Sequence, residues 1–249
     1  MPAYNEAAKI QRDLALLESH LSNQPLSHEV IVVDDGSTDA THEHVTEFSA
    51  TRKAFRGIRY EQNRGKGHAI KTGVLEARGT FVLFVDAGSC VPYRCLDDGL
   101  ALLRGGCDVA IGSRALPGSK IVVKSPLYRR LGSQAFGLFV RRLVDIRPVR
   151  DTQCGFKLFR LPAARRLMGM QRIPGFMFDI ELIANAKRLG YRIGQFPVEW
   201  SNDADTRFAP IRGGGRRILS ELMRIRWYQL TNQYNYGEPS NEEIETQCL

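Results

Sequence analysis

A chain of 249 residues is long enough for one large α/β domain or two small ones. Its hydrophobic share of 43% and charged share of 25% exclude a low-complexity or disordered chain. The net charge of +8 favours an anionic partner: a phosphorylated substrate, an acidic membrane surface or nucleic acid. Nucleic acid is disfavoured, because basic and aromatic residues do not interleave as in the usual binding modules.

The chain opens on Pro2-Ala3-Tyr4-Asn5-Glu6 with no strand ahead of it. This predicts a loop, a missing N-terminal strand, and a helix over 6–21 with Ile10, Leu14, Leu17 and Leu21 at helical spacing. Val30–Val33 is an uninterrupted β-branched run, as in a strand covered on both faces. It delivers Asp34 and Asp35 to the carboxyl end of the strand, where open α/β sheets bind ligands. Gly36 allows a sharp turn, and Ser37 or Thr38 is placed to cap a helix over 40–48. The alternative is a capping turn whose acids are merely solvated.

A strand over 57–61 leads to Asn63-Arg64-Gly65-Lys66-Gly67, whose glycines and cations suit phosphate. The third glycine of a dinucleotide fingerprint is absent, so an ordinary basic turn is an equal reading. A helix over 68–77 and the buried strand Phe81–Val85 follow, ending in Asp86. One carboxylate there could hold Mg²⁺ or Mn²⁺ with substrate phosphates completing the shell, or could simply cap a turn. A helix over 96–103 and a strand over 109–112 complete an alternation that predicts a mostly parallel sheet.

Beyond Arg114 the expected elements are a helix over 128–144, strands over 156–160 and 192–198, and helices over 178–189 and 216–231. The tail 236–249 is acidic and reads as disordered. Five scattered cysteines without a CxxC pair indicate reduced thiols and a cytosolic setting. The longest uncharged apolar stretch, Leu131–Val140, falls short of the roughly 20 residues that span a bilayer. Two basic, apolar helices, 128–144 with Arg129 and Arg130 and 216–228 with Arg216 and Arg217, could instead lie on an anionic membrane surface. Their apolar faces could equally pack on the domain.

Pro2–Glu6, Val33-Asp34-Asp35-Gly36-Ser37, Asn63–Gly67 and Phe84-Val85-Asp86 occur in the order found in the inverting glycosyltransferases of family two, which this chain resembles. Asp151-Thr152-Gln153-Cys154-Gly155-Phe156-Lys157 and Phe178-Asp179-Ile180-Glu181-Leu182 make it most similar to the branch acting on polyprenyl phosphates, the dolichyl-phosphate glucosyl- and mannosyltransferases. The resemblance covers about residues 2 to 235. It implies a Rossmann-like glycosyltransferase A-type fold in a single catalytic domain, 1–235. Residues 1–113 would form the nucleotide half and 114–235 the acceptor half.

The resemblance also implies roles. Pro2, Tyr4, Glu6 and Asp35 would hold base and ribose, Lys66 the base or diphosphate, and Asp86 the ribose or a metal. Arg114 would face the acceptor or the sugar diphosphate. Asp151 and Gln153 would lie by the donor sugar, and Asp179 and Glu181 near the reacting centre. The implied reaction transfers a hexose, glucose or mannose, from UDP-glucose or GDP-mannose to a polyprenyl phosphate, with inversion. It would take place at the cytosolic face of a membrane, at the endoplasmic reticulum in a eukaryote.

Two departures stand out. Asp86-Ala87-Gly88 replaces the usual Asp-x-Asp, which weakens a divalent-cation site. Ser89, or the cations Lys66 and Arg114, would have to compensate. A Gly-Ser-Lys or Gly-Ser-Arg segment is also missing after Trp200, where Arg207 would supply the cation. A soluble hydroxyl acceptor, or a weakened nucleotide-binding scaffold, is the alternative reading.

Overall fold

The computed structural model describes residues 1–122, 127–201 and 215–237. Three parallel strands form one sheet in the order β1 (Pro2–Ala3), β2 (Val30–Asp34), β3 (Phe55–Arg59). A second sheet runs β4 (Phe81–Val85), β7 (Phe156–Arg160), β5 (Val109–Ser113), β8 (Ile193–Pro197). Within it β7 is antiparallel to both neighbours. The sheet is therefore mixed, where the alternation of elements predicted a mostly parallel one. β6 (Lys120–Ile121) and β9 (Glu199–Trp200) add a short parallel pair that the sequence did not signal.

The chain does not open in a loop. Pro2 and Ala3 pair with Val33 and Asp34, and the Ala3 carbonyl accepts the Asp35 N–H at 2.8 Å. Two residues carry too little alternation to register as a strand. The helices are α1 (Ile10–Ser22), α2 (Thr41–Ala50), α3 (Lys66–Leu75), α4 (Leu96–Arg104), α5 (Leu127–Leu143), α6 (Leu161–Met170), α7 (Phe178–Arg188) and α8 (Gly215–Leu230). Of these, α6 was not expected, although Pro162 at its first turn and the alanines after it are helix-starting signals. The cap of α2 also differs from expectation. Asp39, not Ser37 or Thr38, accepts the Thr41 N–H at 3.0 Å; the Ser37 hydroxyl oxygen accepts the Asn5 N–H at 2.9 Å and the Thr38 hydroxyl donates to the Asn5 side-chain oxygen at 3.3 Å.

A hydrophobic cluster joins both sheets. Ala3, Val30 and Val32 pack with Val85, Ala110, Phe156, Leu158 and Phe196 under α1 and α4. On the other face Phe84, Val109, Ile111 and Phe159 pack with α7 and with Leu222 and Ile225 of α8. Burial of the sheet on both faces leaves its carboxyl edge as the place where polar side chains gather.

Candidate active site

Asp34 and Asp35 leave β2 in opposite directions, as alternation along a strand requires. Asp34 accepts the Ser37 N–H at 2.9 Å, with Arg59 3.6 Å away, and so stabilises its own turn. Asp35 takes three donors from the loop after β3: the Arg64 N–H at 2.8 Å, the Gly65 N–H at 2.9 Å and the Asn63 amide at 3.0 Å. Gly36, at φ +72°, lets the two loops approach; a β-carbon there would lie 2.7 Å from the Asn63 nitrogen. Burial, then the charge of Asp35, raises the pKa of the Tyr60 phenol. Pro2 and Tyr4 border this edge on β1, the Tyr4 ring half-exposed, while Glu6 pairs with Lys9 at 3.0 Å.

Lys66 begins α3 and reaches Asp86 at the end of β4. Its Nζ lies 2.7 Å from Oδ1 and 2.8 Å from Oδ2. Burial opposes the ammonium, but Asp86 and then Asp179 outweigh it and raise its pKa. Asp179 in turn bonds Lys157, 2.7 Å away and almost completely buried, which also donates to the Cys154 carbonyl at 2.6 Å. For Asp179 burial dominates, and its pKa is raised despite Lys157 and Lys66. Acid and base thus alternate along Asp86, Lys66, Asp179 and Lys157.

A second pair lies beside this row. Arg114 donates to Asp151 through Nε at 2.7 Å, Nη2 at 2.9 Å and its backbone N–H at 3.0 Å, with its guanidinium over the Trp200 ring. The Gln153 N–H adds 3.1 Å. Burial would raise the Asp151 pKa, but the Arg114 bonds and charge outweigh it and lower it. The thiol of Cys154 between the pairs is pushed up to about 12 by burial and then by Asp151, and stays protonated.

The segment 151–157 joins the two groups. Asp151 meets Arg114 at one end, Lys157 meets Asp179 at the other, and Gly155 lies against Asp86 in between. A β-carbon at Gly155 would fall 2.1 Å from Asp86 Oδ2. Lys157, Gly155 and Trp200 are the participants that sequence reasoning left without a role. A lysine inside an apolar strand was the available signal, since it needs a buried counter-charge.

Glu181 is not brought to this group. Two residues on from Asp179, it points from the other side of α7. It accepts the Arg172 and Ile173 N–H groups, both at 2.9 Å, and the Tyr234 hydroxyl at 2.7 Å. Arg217 likewise serves the fold, pairing with Glu221 at 3.0 Å, while Arg216 is exposed on α8. Arg207 and the side chains of Arg129 and Arg130 lie outside the described residues.

The residues present do not fit a divalent cation. Asp86 Oδ1 is buried and accepts no well-directed hydrogen bond, so one ligand oxygen exists, but the Lys66 ammonium stands against it. A dication on Asp86 would sit about 4 Å from that ammonium, a repulsion of about 8 kcal/mol at an effective dielectric near 20. Ser89 donates its hydroxyl hydrogen to Asp13 at 3.2 Å and offers at most a neutral oxygen, a weak ligand beside the missing carboxylate. Among the described residues no group of three potential ligands converges.

Comparison with known proteins gives the family and the fold. Residues 1–168 match the profile described as glycosyl transferase family 2. The chain is 31% identical to a dolichyl-phosphate beta-glucosyltransferase of Dictyostelium discoideum, covering 92% of this chain and 73% of the relative. It is 33% identical to that of Saccharomyces cerevisiae over 94% and 75% of the two chains, and 31% identical to that of Homo sapiens over 94% and 76%. Glucosyl-3-phosphoglycerate synthase from Mycobacterium tuberculosis, solved with Mn²⁺ and UDP-glucose, superposes with a TM-score of 0.64 at 19% identity, over 90% of this chain and 76% of that one. Its complex with Mg²⁺ and UDP gives 0.65 at 20%, over the same shares. The fold is thus the glycosyltransferase A type, and the chain belongs to glycosyl transferase family 2.

Proposed function

We propose that this protein transfers glucose from a UDP-sugar to a polyprenyl phosphate of the dolichyl type, with inversion. The observation that carries the acceptor class is that no described carboxylate of the site is free to act as a base. Asp86 and Asp151 are ion-paired, Asp179 is buried on Lys157, and Asp35 is filled by loop donors. A hydroxyl acceptor needs a base within hydrogen-bond reach. A phosphate monoester has a second pKa of about 6 and arrives at neutral pH already ionised.

In this reading an acceptor phosphate oxygen attacks the anomeric carbon in line, and the bond to the diphosphate breaks with its electron pair leaving on UDP. Negative charge grows on the diphosphate, so cations already in place supply the stabilisation. Lys66 and Arg114 are those cations, Asp151 fixes the direction of Arg114, and Asp35 shapes the loop that carries Lys66. The test is transfer of labelled glucose to a short-chain polyprenyl phosphate, with polyprenol and GDP-mannose as controls. Product from the phosphate alone is expected; equal transfer to the alcohol would sink the acceptor assignment.

The acceptor's lipid nature places the protein on a membrane, at its cytosolic face in this proposal. No helix among the described residues is long and apolar enough to cross one. α8 has two apolar sides. Ile218, Leu222 and Ile225 pack on the core, while Leu219, Met223, Trp227 and Leu230 are each more than half exposed in a single stripe. Arg216 and Arg226 flank the stripe, and the one acid of the helix, Glu221, is buried beside Arg217. Such a face suits an anionic bilayer, each arginine near the surface contributing about 1 kcal/mol. Vesicles containing phosphatidylserine are expected to sediment with the protein and blue-shift Trp227. Leu219→Glu with Trp227→Glu should weaken binding at least about tenfold. Unchanged sedimentation would refute the assignment of this face.

A further inference from the structure

The loop after β4 is built around Asp13. This residue of α1 is fully buried and accepts the Gly88 N–H at 2.6 Å and the Ser89 hydroxyl at 3.2 Å, with Arg12 3.1 Å away. Gly88 stands at φ +104°, a conformation that side chains rarely adopt, and Ser89 follows at φ +47°. The backbone N–H of Gly88, at the position where the pattern would carry its second carboxylate, is tied to Asp13.

The place left beside Asp86 belongs to Lys66. Both Asp86 oxygens lie within 2.8 Å of Nζ. An ammonium carries three N–H donors, and one carboxylate takes at most two of them. The third is available to an incoming oxygen. Lys66 is also the first residue of α3, where the helix dipole adds partial positive charge suited to phosphate. Gly67 fixes that start against the opposite wall, since a β-carbon there would meet Gln171 and Phe178 at 2.7 Å.

We propose that Lys66 is the resident cation of the donor site, held by Asp86 and donating to the diphosphate, so that donor binding requires no divalent cation. The proposal rests on the UDP-sugar reading above and names the group that meets its diphosphate. It sets this chain apart from structural neighbours solved with Mn²⁺ or Mg²⁺. Asp13 is then a positioning residue, holding the loop that follows Asp86.

The test is calorimetric titration of the full chain with UDP, in EDTA and in millimolar Mn²⁺. Wild-type affinities should agree within about threefold. Lys66→Ala should lose at least about tenfold in EDTA and regain part of it with Mn²⁺, because Asp86 is then freed for the metal. Lys66→Arg, which keeps the charge, should remain metal-insensitive and serves as the control for folding. Wild-type binding that appears only with Mn²⁺ would overturn the proposal and leave the glucosyltransferase reading standing. Failure to bind UDP under both conditions would overturn that reading as well.

Discussion

Asp35→Ala is expected to cost at least about a hundredfold in UDP affinity, or about 2.7 kcal/mol. The carboxylate is 3% exposed and gathers the Asn63 amide with the Arg64 and Gly65 N–H groups. Hydrogen bonds to a charged group contribute about 1.5–3 kcal/mol each. Water can reach the freed Arg64 and Gly65 amides in part, so the stability loss should be smaller than the sum, about 2–3 kcal/mol by that same range. Donor affinity suffers more, because the loop that positions Lys66 is no longer tied to β2. Titration with UDP and urea unfolding measure the two effects. The Tyr60 phenol should also ionise at lower pH once Asp35 is gone. Unchanged UDP affinity would remove Asp35 from the site.

Asp151→Ala should abolish transfer and destabilise the fold by about 3 kcal/mol, the lower end for removing one partner of a buried ion pair. The lower end applies because the Arg114 side chain keeps 29% of its exposure and its contact with Trp200. Arg114→Met in the same chain should recover most of the stability but none of the transfer, which separates the uncompensated charge from the function. The pH dependence follows from the lowered pKa of Asp151. Its contribution is present above the ordinary carboxylate value and is lost as pH falls through the lowered folded value. Urea midpoints from neutral pH down to that acid range should therefore fall less steeply in Asp151→Asn than in wild type. Asp179 acts in the opposite sense. Burial raises its pKa, so stability is lost as pH rises from the ordinary value through the raised folded one.

Much of the site was readable along the chain because it hangs on strand ends. Val30–Val33 and Phe81–Val85 are uninterrupted apolar runs, and whatever follows such a strand lies at the carboxyl edge. Asp35 and Asp86 were read that way, and Lys66 from the glycine-rich, cationic turn after the next strand. Glu181 was not separable from Asp179 by the same means. Both belong to one short motif, but a helix turns about 200° over two residues and sends them to opposite sides. The apolar residues of α8 are a similar case. Listed by hydrophobicity, Ile218, Leu219, Leu222, Ile225 and Trp227 are one face; in the fold the core takes three and leaves Leu219 and Trp227 outside.

The sequence by itself determined the α/β class, the family, the order of the turns at the strand ends and the anomaly at Gly88. These depend on local periodicity and on short motifs whose chemistry is contained in a few consecutive residues. Only the tertiary structure decided which charges meet. Lys157 finds Asp179 across 22 positions, Arg114 finds Asp151 across 37, and Asp13 holds Gly88 across 75. Such pairings arise because a buried charge must be compensated by whatever the packing of distant elements brings within reach, and nothing in the spacing along the chain specifies that partner.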